Sequence, residues 1–415
     1  MSPLDNCRKP DFQMNPVPQK SRDDSYLRLI SDINRKISAS SDVIDVLGYI
    51  LDALREVLAY ESAAVFLVHP RTQGLKYAMH RGPGGSEGTQ FPTDAVRLAQ
   101  QQPAGYHLES SGAGSARLTV PIINGHGTVG AFQFGGAPDI FAGTILELMT
   151  VVASQAAIFV DKAVLSKELR EKRRIEEELR IAREVQLSLL PAEAPKIDAL
   201  DLHGINIPSY KIGGDYFDFI PIVDGHLGIA VADVAGKGVP ASLIMASFRA
   251  VLRAEIRNNY AIRTILAKVN RVLKETLRDD QFVSAFYGVL DVARRRFTYS
   301  NAGHHPAIVF RTGGKRRYLK SGGLVLGIFD GVSYNEQFID LVPGDLLLLY
   351  TDGLVEAEDP SGEMYGRARL ERYVAANADM NAHALCDAIY ADMSRFTRAP
   401  RPADDTTIVI AKILG

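Results

Sequence analysis

The first part of the chain alternates between apolar and polar positions with the period of a helix. Between residues 26 and 58, apolar side chains recur at steps of three and four, as in Leu29, Ile33 and Ile37. Because an α-helix turns once in about 3.6 residues, this pattern predicts two amphipathic helices. A further helix is expected over residues 141–160, where another long apolar stretch occurs.

Between these helices the pattern changes to that of strands and turns. The apolar run 62–68 predicts a short strand, and glycines at 82–88 predict a loop. Two further apolar runs flank the turn 124–127, whose Asn-Gly and His-Gly pairs tolerate positive φ. A β-hairpin is therefore expected across residues 117–134.

The segment 161–190 is rich in charged residues and still carries an apolar stripe. Its stripe positions follow steps of four and three, the a/d spacing of a coiled coil: Ile175, Leu179, Ala182, Gln186 and Leu189. We expect a helix that stops at Pro191 and forms a parallel dimer seam. A solvated single helix is the alternative, because the stripe extends over only about two heptads.

Beyond residue 195, short apolar runs alternate with two pairs of helical patterns. Helical periodicity covers 239–258 and 261–277, and later 367–376 and 382–397. Strands are expected at 216–223, 226–232, 284–291, 296–301, 307–311, 316–320, 337–342, 345–351 and 406–413. Antiparallel strands interrupted by paired helices predict two packed sheets with helices outside, an α/β sandwich of the α+β class.

Length and composition limit the classes of function. With 415 residues, 46% of them hydrophobic and 23% charged, the chain is expected to form two globular domains. The net charge of −2 gives no long-range attraction to nucleic acid or to an anionic membrane. Cys7 and Cys386 are the only cysteines, so no disulfide framework or thiolate metal site is expected. No apolar run suggests a signal sequence or a membrane span, and a cytoplasmic protein is predicted.

Four acidic segments stand at predicted strand ends or tight turns, and they contain Asp215, Asp233, Asp352 and Asp404. Asp233 and Asp352 each end an apolar run, which places a carboxylate at the rim of a buried sheet. Two carboxylates about 4 Å apart repel each other by roughly 4 kcal/mol at an effective dielectric constant near 20, and a bound cation removes this penalty. Oxygen ligands without Cys or His at fixed spacing favour Mg²⁺ or Mn²⁺.

The same segments carry a family resemblance that extends from about residue 182 to residue 412. In order along the chain they read GGDYFDF, ADVAGKGVPAS, NAGHHPA, LYTDGLVEA and DDTTIVI. This set resembles the PPM family of metal-dependent serine/threonine phosphatases, specifically its SpoIIE/RsbU-type branch. The resemblance implies hydrolysis of protein phosphoserine or phosphothreonine by a hydroxide bridging two metal ions, without a covalent phosphoenzyme.

The resemblance also implies a set of metal ligands. Asp215 and Asp233 would hold the metal pair as the catalytic residues, with Asp233 bridging and the backbone carbonyl of Val234 as a further ligand. Asp352 and Asp404 would complete the other metal. These assignments give two Mn²⁺ or Mg²⁺ ions held by five residues.

Other residues near these motifs are not assigned as metal ligands. Asp405 competes with Asp404 as the last ligand and is interpreted as shaping the turn, while Asp218 either positions a water or ligand carboxylate or is structural. His304 and His305 are interpreted as loop residues. Since the nearest basic residue before the first motif is Lys211, substrate phosphate is expected to be held chiefly by the metals.

The glycines around Lys237 do not form a nucleotide-binding loop. The pattern Gly236-Lys237-Gly238 lacks the spacing GxxxxGK[ST] of a Walker motif, because Val239 and Pro240 follow. These glycines are interpreted as letting the backbone turn next to the metals.

The arrangement of helices, strands and hairpin in residues 25–160 resembles a GAF domain, which implies a pocket for a small-molecule or protein ligand. Dimerisation alone is the alternative role. The chain is thus divided into a flexible leader (1–24), a GAF-like sensor (25–160), a helical linker (161–190) and a phosphatase domain (191–415). The resemblance further suggests a homodimer acting on a phosphorylated anti-sigma-factor antagonist of the STAS type. A catalytically silent dimeric sensor that keeps the fold is the rival hypothesis.

Overall fold

The computed structural model describes residues 19–68, 75–83, 92–102, 105–111, 114–223, 225–259 and 261–415. The chain forms two compact units, Met1–Arg173 and Arg174–Gly415. The predicted C-terminal boundary of the leader, residue 24, is wrong, because the first helix already begins at Gln19. Most of that leader and most of the predicted loop 82–88 lie outside the described residues.

The first unit begins with the two helices that the sequence predicts, α1 (Gln19–Ala39) and α2 (Val43–Leu58). Asp42 caps α2 by accepting hydrogen bonds from the backbone N–H groups of Ile44 and Asp45. The apolar side of both helices packs into the core of this unit, as their amphipathic pattern predicts.

A five-stranded antiparallel sheet completes the core of the first unit. Its strands are β1 (Ser62–Val68), β2 (Leu75–Arg81), β3 (His107–Ser111), β4 (Ser115–Asn124) and β5 (Gly127–Gly136), in the order β2-β1-β5-β4-β3. The predicted strand and hairpin are confirmed as β1 and as β4 with β5. The sequence did not predict β2, β3 or helix α3 (Thr93–Gln101), which are all short.

Helix α4 (Thr144–Leu189) is one continuous element where the sequence predicted a closing helix and a linker. Among the described residues, α4 is the one helix whose length and apolar composition would allow it to cross a membrane. A core helix meets the same criterion, and Met149, Val152 and Ala156 of α4 lie in the hydrophobic core of the first unit. The helix ends before Pro191, as predicted.

The second unit contains the remaining strands and helices. The strands are β6 (Leu200–Ile207), β7 (Tyr216–Val223), β8 (His226–Val234), β9 (Val283–Asp291), β10 (Arg296–Ala302), β11 (Ala307–Phe310), β12 (Arg316–Leu319), β13 (Gly322–Gly323), β14 (Gln337–Asp340), β15 (Leu346–Tyr350) and β16 (Thr406–Ile413). The helices are α5 (Val239–Asn258), α6 (Ile262–Thr276), α7 (Asp352–Val355), α8 (Arg367–Ala376) and α9 (Ala382–Thr397).

These elements form the predicted four-layer α+β sandwich. One sheet has the order β13-β10-β9-β8-β7, with β14 also paired to β10, and the other has the order β12-β11-β15-β16-β6. Phe217, Val231 and Phe286 of the first sheet pack against Val309 and Val409 of the second. Helices α5 and α6 cover the outer face of the first sheet, and α8 and α9 cover that of the second.

The end of α4 belongs to the second unit, and this removes two of the five predicted coiled-coil positions, Gln186 and Leu189. Gln186 is only 8% exposed, and Leu189 packs against the core beneath α5 and α6. Because both side chains are covered by their own chain, they are not available as seam positions. The apolar residues that α4 does expose include Ile158, Leu165 and Leu169.

Candidate metal centre

Asp215 stands immediately before β7 and is almost completely buried, with 1% exposure. Its Oδ2 accepts hydrogen bonds from the hydroxyls of Thr351 (2.8 Å) and Thr407 (2.6 Å). Its Oδ1 is buried, and no described residue lies in hydrogen-bonding geometry with it. Two donors therefore fix Oδ2 of this carboxylate, whereas Oδ1 remains available to bind a cation.

The other three aspartates line one cavity of about 290 Å³. Asp233 lies near the end of β8, Asp352 is the first residue of α7, and Asp404 lies just before β16. The antiparallel ladder pairs Tyr216 with Ala232, so Asp215 lies beside Asp233 at the same sheet edge. The structure thus brings together the four aspartates that the sequence singled out.

Burial and mutual repulsion disfavour the ionised forms of these carboxyl groups. The pKa of Asp215 is raised well above its usual range, first by burial and then by the charge of Asp233. Burial, followed by the charges of Asp352 and Asp404, raises the pKa of Asp233 to about 7. Burial and then the Asp404 charge also raise the pKa of Asp352. Divalent cations would reverse this balance, and the all-carboxylate donor set fits Mg²⁺ or Mn²⁺.

The backbone after Asp233 passes close to the loop before Asp215. Val234 ends β8 and lines the cavity, and a Cβ atom placed on Gly214 would lie 3.0 Å from the carbonyl oxygen of Val234. A glycine at 214 therefore allows this close approach. Val234 thus lies at the cavity, where the resemblance predicts a ligand.

Asp405 is engaged differently from its neighbour Asp404. The Asp405 carboxylate accepts hydrogen bonds from the N–H (2.8 Å) and hydroxyl (2.9 Å) of Ser209 and from the N–H of Gly214 (2.6 Å). Asp404 instead lines the cavity and pairs with Lys237. These contacts support the interpretation of Asp405 as the residue that shapes the loop and Asp404 as the ligand.

Asp218 faces α5 and not the cavity. Its carboxylate receives hydrogen bonds from Arg253 Nε (2.7 Å) and Nη2 (2.9 Å) and from the Tyr216 hydroxyl. The described hydrogen bonds of Asp218 do not reach the four aspartates. Of the two roles considered from the sequence, the structural one agrees with these contacts, because the ion pair ties α5 to β7.

The two histidines differ in their surroundings. His304 is buried, and its Nδ1 lies 2.8 Å from the Ser284 hydroxyl. Burial, followed by the proximity of His305, lowers the pKa of His304 to about 3, so this ring is neutral. His305 lies close to Asp352 and Glu356, with one donor atom from each within 4.8 Å of the others.

Sequence reasoning missed several residues of this site. Glu356 follows Asp352 by four residues and thus lies on the same face of the helical turn, a spacing that the sequence does show. Lys237 was considered only as part of a nucleotide-binding pattern. Thr351 and Thr407 adjoin predicted acidic motifs, but nothing local indicates that their hydroxyls share one carboxylate oxygen.

Comparison with known proteins agrees with this geometry. Residues 223–414 match the family model of stage II sporulation protein E (SpoIIE). Phosphoserine phosphatase RsbU of Bacillus subtilis is 29% identical over 239 residues, which cover 57% of this chain and 71% of RsbU. Phosphoserine phosphatase RsbP of the same organism is 27% identical over 192 residues, which cover 45% of this chain and 47% of RsbP.

A solved structure shows the same fold. The SiaA-PP2C domain of Pseudomonas aeruginosa has a TM-score of 0.52 and 22% identity, covering 59% of this chain and 99% of that domain. The sandwich with its rim of carboxylates thus has the fold of a PP2C domain. More narrowly, residues 223–414 match the SpoIIE family model, and the chain is similar in sequence to the phosphoserine phosphatase RsbU.

Proposed function

We propose that the chain is a metal-dependent phosphatase of bacterial signalling that removes phosphate from phosphoserine or phosphothreonine of a protein. The observation that carries this proposal is the orphaned Oδ1 of buried Asp215 beside Asp233. A buried carboxylate oxygen without a donor is costly unless a cation occupies the site. The names of RsbU and RsbP, both phosphoserine phosphatases, support the same activity.

The proposed ligands are Asp215, Asp233, the carbonyl of Val234, Asp352 and Asp404, with Asp233 shared between two ions. Two Mg²⁺ or Mn²⁺ ions, when bound, would supply an activated water and neutralise charge on the phosphoryl group. The protein itself contributes a fixed geometry at the rim of the cavity.

Three residues maintain that geometry. The hydroxyls of Thr351 and Thr407 hold Oδ2 of Asp215, which leaves Oδ1 free of these two donors. Asp405 holds the loop before Asp215 through Ser209 and Gly214. These contacts fix the ligands before a metal or substrate arrives, which lowers the cost of binding both.

We further propose that the first unit is a GAF-like sensor and that the protein is a cytoplasmic homodimer without a nucleic-acid or membrane partner. Helix α4 exposes apolar side chains, including Ile158 (62%) and Leu165 (57%), that a second copy would cover. A cavity of about 560 Å³ in the first unit is lined in part by His80, Glu109 and Arg117. This polar lining suits a small polar ligand.

The substrate that we propose is a phosphorylated STAS-type anti-sigma-factor antagonist. Purified protein should release phosphate from such a phosphoprotein with Mn²⁺ or Mg²⁺ and lose this activity on chelation. Asp233→Asn should abolish phosphate release while leaving dimerisation intact. Absence of phosphate release from every phosphoprotein tested, with metal in excess, would instead favour a catalytically silent sensor.

A further inference from the structure

Lys237 occupies the cavity of the proposed metal centre. The cavity wall contains three carboxylates, those of Asp233, Asp352 and Asp404. Among the described residues that line it, Lys237 is the one lysine or arginine. Its ammonium group lies 2.8 Å from Oδ2 of Asp404 and 2.9 Å from the carbonyl oxygen of Ala403.

His304 of the cavity does not duplicate this positive charge. His304 is buried beside Ser284 and remains neutral, since burial lowers its pKa to about 3. His305 lies next to Asp352 and Glu356 on the α7 side. Lys237 is therefore the permanent cation of the cavity wall in the described part of the chain.

The contact between Lys237 and Asp404 is easily exchanged. Both side chains are partly open to solvent, with 42% and 47% exposure, so the ion pair is screened and weak. Gly236 (φ 101°) and Gly238 (φ 74°) flank Lys237, and a Cβ atom added at either glycine would meet no other atom within 4 Å. The turn that carries Lys237 is thus not packed against other atoms at these glycines.

A metal ion at Asp404 would compete with Lys237 for the same carboxylate. A divalent cation binds a carboxylate more strongly than an exposed ammonium does, so metal binding would leave Lys237 without its main partner. The substrate brings a phosphoryl dianion to this cavity, and a lysine ammonium is a common point-charge ligand for phosphate.

We propose that Lys237 is a substrate-binding residue that exchanges Asp404 for the phosphoryl oxygens once metal holds Asp404. In the metal-free protein, Lys237 serves as the counter-ion of Asp404. In the metal-loaded protein, Lys237 supplies a positive charge for the substrate phosphate. From the sequence alone, only Lys211 stands out as a nearby basic residue, and phosphate binding is expected to fall chiefly to the metals. The inference rests on the proposed phosphatase function, because the anion concerned is the phosphoryl group of that substrate.

The test measures two equilibria, Mn²⁺ binding and the binding of inorganic phosphate to the Mn²⁺-loaded full chain. Lys237→Gln should weaken phosphate binding about 10-fold or more, as expected for loss of a hydrogen bond to a charged group. The same variant should bind Mn²⁺ as tightly as the natural protein or more tightly, because a competing cation has been removed. Lys237→Arg keeps the charge and should weaken phosphate binding less than Lys237→Gln does.

Lys211→Gln is the matched control, because it makes the same charge change at an exposed lysine outside the cavity lining. It should leave both equilibria unchanged. Equal phosphate affinity in Lys237→Gln and Lys211→Gln would overturn the proposal. So would weaker Mn²⁺ binding in Lys237→Gln, since Lys237 would then only hold Asp404 in place. If the natural protein releases no phosphate from phosphoproteins, the proposed function fails, whereas the two binding equilibria still decide the role of Lys237.

Discussion

Gln186 and Gly213 exchange two hydrogen bonds across 27 residues of sequence. The side-chain amide of Gln186 donates to the Gly213 carbonyl at 2.6 Å, and the Gly213 N–H donates to Oε1 of Gln186 at 3.3 Å. Gly213 lies two residues before Asp215, so the end of α4 holds the loop that carries a proposed metal ligand. The loop is therefore held from two sides, by Gln186 of α4 and by Asp405.

Gln186→Ala is therefore expected to impair the centre from a distance. It removes the hydrogen-bond partner of both the N–H and the C=O of buried Gly213, and the cost should be about 1–3 kcal/mol of unfolding free energy. Mn²⁺ affinity and phosphate release should both fall, as measured by calorimetry and a phosphate assay. Val185→Ala, at the neighbouring 59% exposed position, should leave both unchanged. Full activity in Gln186→Ala would show that the loop holds its conformation without α4.

Asp233 should make the metal-free protein sensitive to pH. Its folded pKa of about 7 lies above the ordinary aspartate value of about 3.9 in the unfolded chain. The folded state therefore binds more protons, and stability is lost as the pH rises from about 4 through about 7. Without metal, Asp233→Asn should unfold at a higher temperature than the natural protein at pH 8, by about 2–4 °C for each kcal/mol.

Addition of Mn²⁺ should reverse this order in the same thermal-unfolding experiment. The natural protein should gain stability with Mn²⁺ at pH 8, because metal favours the ionised carboxylate. Asp233→Asn should gain much less. An Asp233→Asn variant with the same pH dependence as the natural protein would mean that another group carries the titration.

Thr407 should influence metal affinity without being a ligand. Thr407→Val keeps the side-chain volume but removes the hydroxyl that donates to Oδ2 of Asp215 at 2.6 Å. Loss of such an outer contact to a ligand typically lowers metal affinity by about 10- to 100-fold. Thr407→Ser retains the hydroxyl and should retain most of the affinity. Isothermal titration with Mn²⁺ compares the variants directly, and equal affinity in Thr407→Val would argue against Asp215 as a ligand.

Substitution of Asp404 and substitution of the adjacent Asp405 should affect different properties, metal affinity in the first case and stability in the second. Asp404→Asn should weaken Mn²⁺ binding and leave unfolding in the absence of metal nearly unchanged, because Asp404 is partly exposed. Asp405→Ala should destabilise the metal-free protein by about 1–3 kcal/mol, because it strands the N–H groups of Ser209 and Gly214. Denaturant unfolding and metal titration of both variants test this assignment. If Asp405→Ala lost Mn²⁺ affinity while Asp404→Asn lost only stability, Asp405 would be the ligand instead.

The sequence by itself determined the elements that bury a regular apolar face. Helices α5, α8 and α9 and strand β16 begin and end at the predicted residues, because their periodicity is local and strong. It also singled out the four aspartates, since each follows or precedes a recognisable strand. Strands β2, β3 and β6 were not predicted: β3 has a single apolar residue, whereas β6 does alternate apolar and polar residues over its first four positions, so its signal was present but overlooked.

Only the tertiary structure decided how these residues are used. The hydrogen bonds from Thr407 to Asp215 and from Gly214 to Asp405 join positions 192 and 191 residues apart. Gln186 fits a coiled-coil stripe by spacing, yet its amide is satisfied by its own phosphatase domain. Local patterns report which side of an element is apolar, whereas the partner of a buried polar group depends on which distant strands the sandwich brings to one edge.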